Sequence, residues 1–448
     1  MSQQYVSSSD AERKDLMLKM RAGDRSISNK KFAEIFAIDP FMDAYDLELD
    51  ELDPSHPALF ANDTLWPHFE RLRNEDPVHF HENSMVGPYW SVSKYQDIMY
   101  IDSHHELFSS QQQKGGIALG GIPQDDQYAL PMFIQEDPPK HDAQRKVVTP
   151  MFIPRQLADL EPLIRSRAGE ILDNLPRNEE FNWVKKVSVE LTAQMLATLF
   201  DVPQEDRLKL IEWSDTIQNL ADPEFFESVD EGFQTLFECL AYFQALYEQR
   251  KKEPPKFDLI SMLAHDESTN NMEPMELLGN VMLLIVGGND TTRNSISGGV
   301  LALNQNPAEY QKLLQNPALV PKMVPEIIRW QTPVAHMART ATQDVELGGK
   351  LIKKDDRVCM WYISGNRDED IIENASEFII DRHNPRQHTA FGYGVHRCVG
   401  NRLAEMQLRV IWEEILKRFG KIEVTSEPIL LASNFIHGIR DLPVTLRE

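Results

Sequence analysis

The chain has 448 residues, with 46 Lys and Arg against 70 Asp and Glu for a formal charge of −24, and it is 42% hydrophobic. That length and apolar content can bury a large core, while the acidity argues against coating nucleic acid or an anionic membrane, both of which need basic faces. Apolar runs such as Val281–Val286 and Val358–Ile363 fall well short of the roughly 18 residues that cross a bilayer. The first residues lack a signal-peptide apolar core. Three cysteines, Cys239, Cys359 and Cys398, with no CxxC or paired Cys/His box, make neither a disulfide framework nor a zinc finger, and their sparse use points to a reducing, cytoplasmic setting.

Residues 1–55 read as an N-terminal extension. Within it, 14–37 mixes charged and apolar residues and predicts short helices, and the acidic run 39–53 predicts a solvated strap over the body. The main domain is expected over 56–448. The alternating segments VHFHE and YWSVS, within 77–98, predict a hairpin or small sheet. Residues 109–130 carry four glycines among many polar residues and predict a long mobile loop, of the kind that forms lids and binding loops. Beyond it, apolar spacing predicts helices over 155–175, 187–200, 204–220, 228–250, 275–304, 308–315, 321–331 and 399–419. Short strands are expected at 343–346, 357–362 and 443–446. The fold class is therefore mainly α with a small β part, as a single large domain without internal repeats or a Gly/Ser linker.

Three stretches carry chemistry. In Phe391–Gly392–Tyr393–Gly394–Val395–His396–Arg397–Cys398–Val399–Gly400, a cysteine precedes an amphipathic helix whose N-terminal dipole and amides favour a thiolate. Glycines 392, 394 and 400 let the backbone approach a flat ligand, and Phe391 can shield the sulfur. A lone cysteine is usually inert; the whole ten-residue pattern is not that of an inert site. In VMLLIVGGNDTTRNS (281–295), an apolar helix carries Gly287–Gly288, each costing about 1 kcal/mol in a helix interior. The Thr291 hydroxyl can bond the Gly287 carbonyl and open the helix locally. In DPPKHDAQR (137–145), His141 and Arg145 are four apart and can face one ligand.

The ten-residue stretch resembles the haem-binding loop of cytochrome P450 enzymes, F-x-x-G-x-[RH]-x-C-x-G. The resemblance implies a cytochrome P450 fold around a buried haem b, with Cys398 as axial iron ligand. Glu326–Ile327–Ile328–Arg329 looks like the family's E-x-x-R, a buried ion pair with Arg382 (in FIIDR) as its third partner, and Asn366–Arg367–Asp368 resembles the family's strand-end NRD. The stretch 281–295 is similar to the oxygen-activating motif, which assigns Thr291 to holding water beside the O2 site and Asp290 to relaying protons. His141, Arg145, Arg339, His388 and His396 fit the family's propionate contacts. Electrons are then expected from NAD(P)H through a separate ferredoxin and ferredoxin reductase, docking on a basic patch of Lys140, Arg145, Lys146, Arg397, Arg402 and Arg409.

A finer resemblance, carried by GGNDTTRNSISGGVLAL, WYISGNRDED and CVGNRLAEMQLRVIWEEIL, is to bacterial alkane and fatty-acid terminal hydroxylases. It implies insertion of one oxygen atom into an unactivated terminal C–H bond of a linear alkane or medium-chain fatty acid. The expected substrate pocket comprises Ile117, Leu119, Ile122, Val286, Gly287, Val334, Met337, Phe435 and Ile436. Two alternatives stay open: a hydroxylase of a sterol or terpenoid side chain, and a non-catalytic haem-binding sensor. The Asp290–Thr291 pair argues against the sensor, which needs no proton delivery.

Overall fold

One 32-residue helix organises the α-rich part of the molecule. The computed structural model describes residues 28–120 and 128–447, together with Arg13, Asp15, Leu16 and Lys19. In chain order come α1 (Asn29–Ile35), α2 (Pro57–Ala61), α3 (Trp66–Glu75), β1 (Val78–His81), β2 (Tyr89–Val92), α4 (Tyr95–Ser103) and β3 (Phe108–Ser109). The helical body follows: α5 (Lys140–Val148), α6 (Pro154–Asp173), β4 (Phe181–Asn182), α7 (Val189–Phe200), α8 (Arg207–Gln218), α9 (Val229–Arg250) and α10 (Leu259–His265). The long helix is α11 (Pro274–Gln305), succeeded by α12 (Pro307–Gln315) and α13 (Val320–Gln331). The last part holds β5 (Met337–Ala341), β6 (Val345–Leu347), β7 (Lys350–Ile352), β8 (Arg357–Met360), α14 (Tyr362–Gly365), α15 (Asn401–Arg418), β9 (Lys421–Val424), β10 (Ile429–Leu430), β11 (Ile439–Asp441) and β12 (Pro443–Arg447).

The eight helices expected from apolar spacing are present, because each buries a long apolar stripe: α13 buries Met323, Ile327 and Ile328, and α15 buries Leu408, Ile411, Trp412 and Ile415. The expected hairpin is β1–β2, with Val78 opposite Val92 and Phe80 opposite Trp90. It belongs to a five-stranded sheet of order β1-β2-β8-β5-β3, in which Cys359 of β8 lies between Ser91 and Ala338. Several shorter elements were not expected, among them α3, α4, α10 and β5. Helices α3, α4 and α10 are ten residues or fewer, too short for a 3.6-residue period to repeat clearly. Strand β5 reads MARTA, without alternation, because Ala338 to Ala341 are all buried in the sheet.

The acidic run 39–53 lies over the body with its charges mostly outward. Ala44, Leu47 and Leu52 turn inward to Phe60, Phe69 and Trp361. Arg71 donates from one guanidinium nitrogen to the carbonyls of Ala44 (2.6 Å) and Leu47 (2.7 Å). Asp53 departs from a solvated strap: it is buried, and its Oδ1 accepts from the Ser55 amide (3.0 Å), the Ser55 hydroxyl (2.6 Å) and the Tyr89 hydroxyl (3.2 Å).

Candidate active site

Helix α11, the 389–400 turn, the 115–120 loop and the chain around 333–339 enclose one cavity of about 1240 Å³. Cys398, on the 389–400 turn, faces that space. Its amide donates to the Phe391 carbonyl (2.9 Å), which closes the turn. Burial pushes the Cys398 thiol up; the Gly400 and Asn401 amides and the guanidinium groups of Arg145 and Arg397 pull the other way. A metal cation against the sulfur adds a much larger pull in that second direction.

The turn owes its shape to Gly392 and Gly394, both at φ +62°. A Cβ on Gly394 would lie 2.0 Å from the Asp102 carbonyl oxygen, so the end of α4 docks directly on the turn. Asp102 fixes that docking. Its buried carboxylate accepts from the Tyr393 amide (3.0 Å), the Tyr362 hydroxyl (2.8 Å) and Arg339 Nη2 (3.1 Å). Nothing in the sequence around Asp102 marked it; the signal was on the other side of the contact, in a glycine that has no room for a side chain.

Arg339 and Arg145 both line the cavity. His396 does too; its Nε2 meets the Ser110 hydroxyl at 2.6 Å, while its buried Nδ1 has no partner. The His141 ring lies 4.3 Å from the His396 ring, and its Nε2 is likewise buried without a partner. Burial pushes both imidazoles below their ordinary range. Two cations, the orphaned His396 nitrogen and an open cysteine on the cavity wall, with the orphaned His141 nitrogen beside His396, fit a large planar ligand that carries anionic groups and a metal. His388 packs on Phe391, with ring centroids 5.5 Å apart, and its Nδ1 is also buried without a partner; neither His388 nor His141 is among the residues that line the cavity. Phe391, Gly392 and Gly400 do line it.

On the opposite wall, Thr291 Oγ1 donates to the Gly287 carbonyl (2.8 Å), as the spacing anticipated. The helix nevertheless continues through this point, and the free space comes from Gly287 itself, where a Cβ would meet nothing within 4 Å. Asp290, the residue before Thr291 on the same helix, does not line the cavity. It is wholly buried and turned away from the cavity, towards α8: Ser214 Oγ donates to its Oδ2 (2.6 Å), and Arg293 pairs with its Oδ1 (2.6 Å). Burial pushes its pKa up, opposed by Arg293 and raised further by Asp215. Arg293 also pairs with the half-exposed Asp215 (2.7 Å), forming a charged chain from Asp290 to the surface. The direction of the carboxylate could not be read from spacing, because it depends on where α8 crosses α11.

Glu326, Arg329 and Arg382 come together. Arg329 pairs with both Glu326 oxygens (2.8 and 2.7 Å), and Arg382 Nε adds a third bond (2.9 Å). Arg329 also donates to the carbonyls of Asn366, Ala375 and Glu377. The Asn366 side chain in turn accepts from the Thr389 amide (2.7 Å), which connects this hub to the cysteine turn. Ile117, Leu119, Val286, Gly287, Val334, Met337, Phe435 and Ile436 all line the cavity; Ile122 lies outside the described residues. The described part of the expected mobile loop is pinned. Ala338 donates to the Ile117 carbonyl (2.7 Å), Arg357 to those of Gly116 and Ala118, and the Leu119 amide donates to His336 Nε2 (3.2 Å).

On the outer surface, two members of the expected basic patch are neutralised: Lys140 pairs with Glu136 and Glu276, and Arg409 with Glu161 and Glu413. Lys146, Arg397 and Arg402 are exposed, and among the described residues they form no ion pair.

Comparison with known proteins agrees with this geometry. The cytochrome P450 family model matches residues 65–433. Linalool 8-monooxygenase of Pseudomonas putida is 37% identical over 88% of this chain and 98% of its own length. A methyl-branched lipid omega-hydroxylase of Mycobacterium tuberculosis is 33% identical over 84% of this chain and 90% of its own. The solved structure of cytochrome P450-153 from Novosphingobium aromaticivorans superposes with a TM-score of 0.84 at 44% identity, covering 88% of this chain and 99% of that one. Among the described residues no helix is long and apolar enough to cross a membrane. The chain belongs to the cytochrome P450 family and is a monooxygenase of the kind that works with haem b, O2 and electrons from NAD(P)H.

Proposed function

We propose that the enzyme hydroxylates a terminal carbon of a linear alkyl substrate, an alkane or medium-chain fatty acid, to a primary alcohol. The observation that carries this is the single cavity that joins Cys398 and Thr291 to an apolar wall of Ile117, Leu119, Val286, Val334, Met337, Phe435 and Ile436. The methyl-branched lipid omega-hydroxylase relative supports it. The linalool relative favours a second reading, attack on a terpenoid side chain.

Haem b, when bound, supplies the oxygen activation and the transfer of one oxygen atom into the C–H bond. The residues would divide the rest. Cys398 would hold the haem iron, with the Gly400 and Asn401 amides stabilising its thiolate. Arg145, Arg339, His141 and His396 would hold the propionates. The Thr291 hydroxyl donates to Gly287, so its lone pairs are free to hold a water in the cavity. Asp290 delivers protons only by leaving Arg293 and rotating towards Thr291; Asp215 and Arg293 connect it to solvent. The apolar wall supplies orientation, which must outweigh the greater strength of a primary C–H bond. A ferredoxin, reduced by its reductase in the cytoplasm, would dock on Lys146, Arg397 and Arg402.

The test is the absorption spectrum of reduced protein under carbon monoxide. A strongly red-shifted Soret band, lost in Cys398→Ala, supports the thiolate; an unshifted band refutes it. Titration with dodecane, dodecanoic acid and linalool then separates linear from terpenoid substrates. Oxygen-dependent product formation with a surrogate ferredoxin separates an enzyme from a haem sensor.

A further inference from the structure

We propose that α1 and the residue after it form the outer wall of the substrate cavity and set the substrate length the enzyme prefers. This rests on reading the cavity as a substrate site. Phe32, Ala33 and Phe36 line the cavity, and all lie before the region matched by the family model. Phe32 and Phe36 are one turn apart, with ring centroids 4.7 Å from each other, and join Ile35 and Met85 in a small apolar cluster.

A seven-residue helix is not stable alone. This one is clamped at both ends. Asn29 is buried, and its Nδ2 donates to the carbonyls of Leu220 (2.9 Å) and Phe226 (3.0 Å), while its backbone N–H donates to Glu227 (3.1 Å). Ser28 caps the helix by accepting from the Lys31 amide. At the other end His56 Nδ1 accepts from the Ala58 amide (3.1 Å), which leaves the proton on Nε2 to donate to the Phe36 carbonyl (2.8 Å).

The clamp joins two walls, because Leu220 and its neighbours after α8 also line the cavity. Met85 and Val86 carry the wall on to Gly120, whose Cβ would lie 3.4 Å from Val86. None of these anchors belongs to the Cys398 turn. On this proposal a substrate with its reacting carbon near Thr291 meets α1 with its far end, and only if it is long enough.

The test uses full-length holoenzyme carrying Asn29→Ala, which removes both side-chain donors, or Ala33→Trp, which fills the wall at an exposed position. Octanol and tetradecanol are titrated against the haem absorption shift that reports loss of iron-bound water. In each variant the tetradecanol-to-octanol affinity ratio is expected to fall roughly tenfold, about what two buried methylenes contribute. An unchanged ratio in both variants, with the red-shifted carbon monoxide band intact, overturns the proposal. If Asn29→Ala does not fold, Ala33→Trp decides alone. A wild-type protein that lacks the band, or that responds to neither alcohol, refutes instead the underlying reading of the cavity.

Discussion

Replacing Asp102 by Asn is expected to loosen the cysteine turn without changing its size. Asp102 accepts three hydrogen bonds in a buried setting, one of them from the Arg339 guanidinium. An Asn can keep its oxygen towards Arg339, but its NH2 then opposes the Tyr393 N–H. Removing the charge of a buried ion-pair partner costs roughly 3–5 kcal/mol. At about 2.1 cal/mol/K of unfolding entropy per residue, 448 residues give about 0.9 kcal/mol/K, so Tm should fall by about 3–5 °C. Because the lost bonds are those that seat Tyr393 and aim Arg339 into the cavity, haem retention should fall as well. Differential scanning calorimetry gives the first quantity, and the carbon monoxide difference amplitude per mole of protein gives the second. A variant with Tm within 1 °C of the parent and full haem content would refute the claim that Asp102 holds the turn.

Thr291→Ala is expected to leave haem binding intact but to lower product formed per NAD(P)H consumed severalfold, measured by product yield against cofactor oxidation. Arg402→Glu should slow reduction by a surrogate ferredoxin severalfold in stopped flow and leave substrate titrations unchanged, because Arg402 is exposed and forms no ion pair among the described residues; Arg409→Glu would also break pairs to Glu161 and Glu413 and is the poorer probe. Burial alone would raise the Glu414 carboxyl, but hydrogen bonds from Lys417, Arg165 and Arg418 overcome it and hold the pKa at about 2. Its folded pKa lies below the unfolded value, so its stabilisation is present above about pH 4.5 and is lost as pH falls towards 2. Between pH 6 and pH 3.5 the parent's Tm should therefore fall more steeply than that of Glu414→Gln.

Much of the site could be read in the sequence because its chemistry uses local patterns. The Phe391–Gly400 stretch, the Glu326–Arg329 spacing and the Thr291-to-Gly287 bond each sit within one turn or one helix, so spacing alone fixed their geometry. What escaped depends on contacts between distant segments. The orientation of Asp290 is decided by Ser214 and Arg293, and the role of Asp102 by Gly394 and Arg339. The same holds for the fold. Long helices with an apolar stripe were legible, whereas β5 was not, because a strand buried on both faces has no alternation to detect.

The cavity is assembled from parts of unequal rigidity. Cys398 and Thr291 sit on a hydrogen-bonded turn and a 32-residue helix, whereas most of the apolar wall comes from connecting segments at 117–120, 333–337 and 434–436. Such connections accept substitution and length change far more readily than the helices they join. Substrate preference can therefore drift between descendants, or be redirected in the laboratory, by changes confined to these borders, with oxygen chemistry passed on unaltered. It is a division of labour under which proteins one-third identical can share one reaction and differ in what they apply it to.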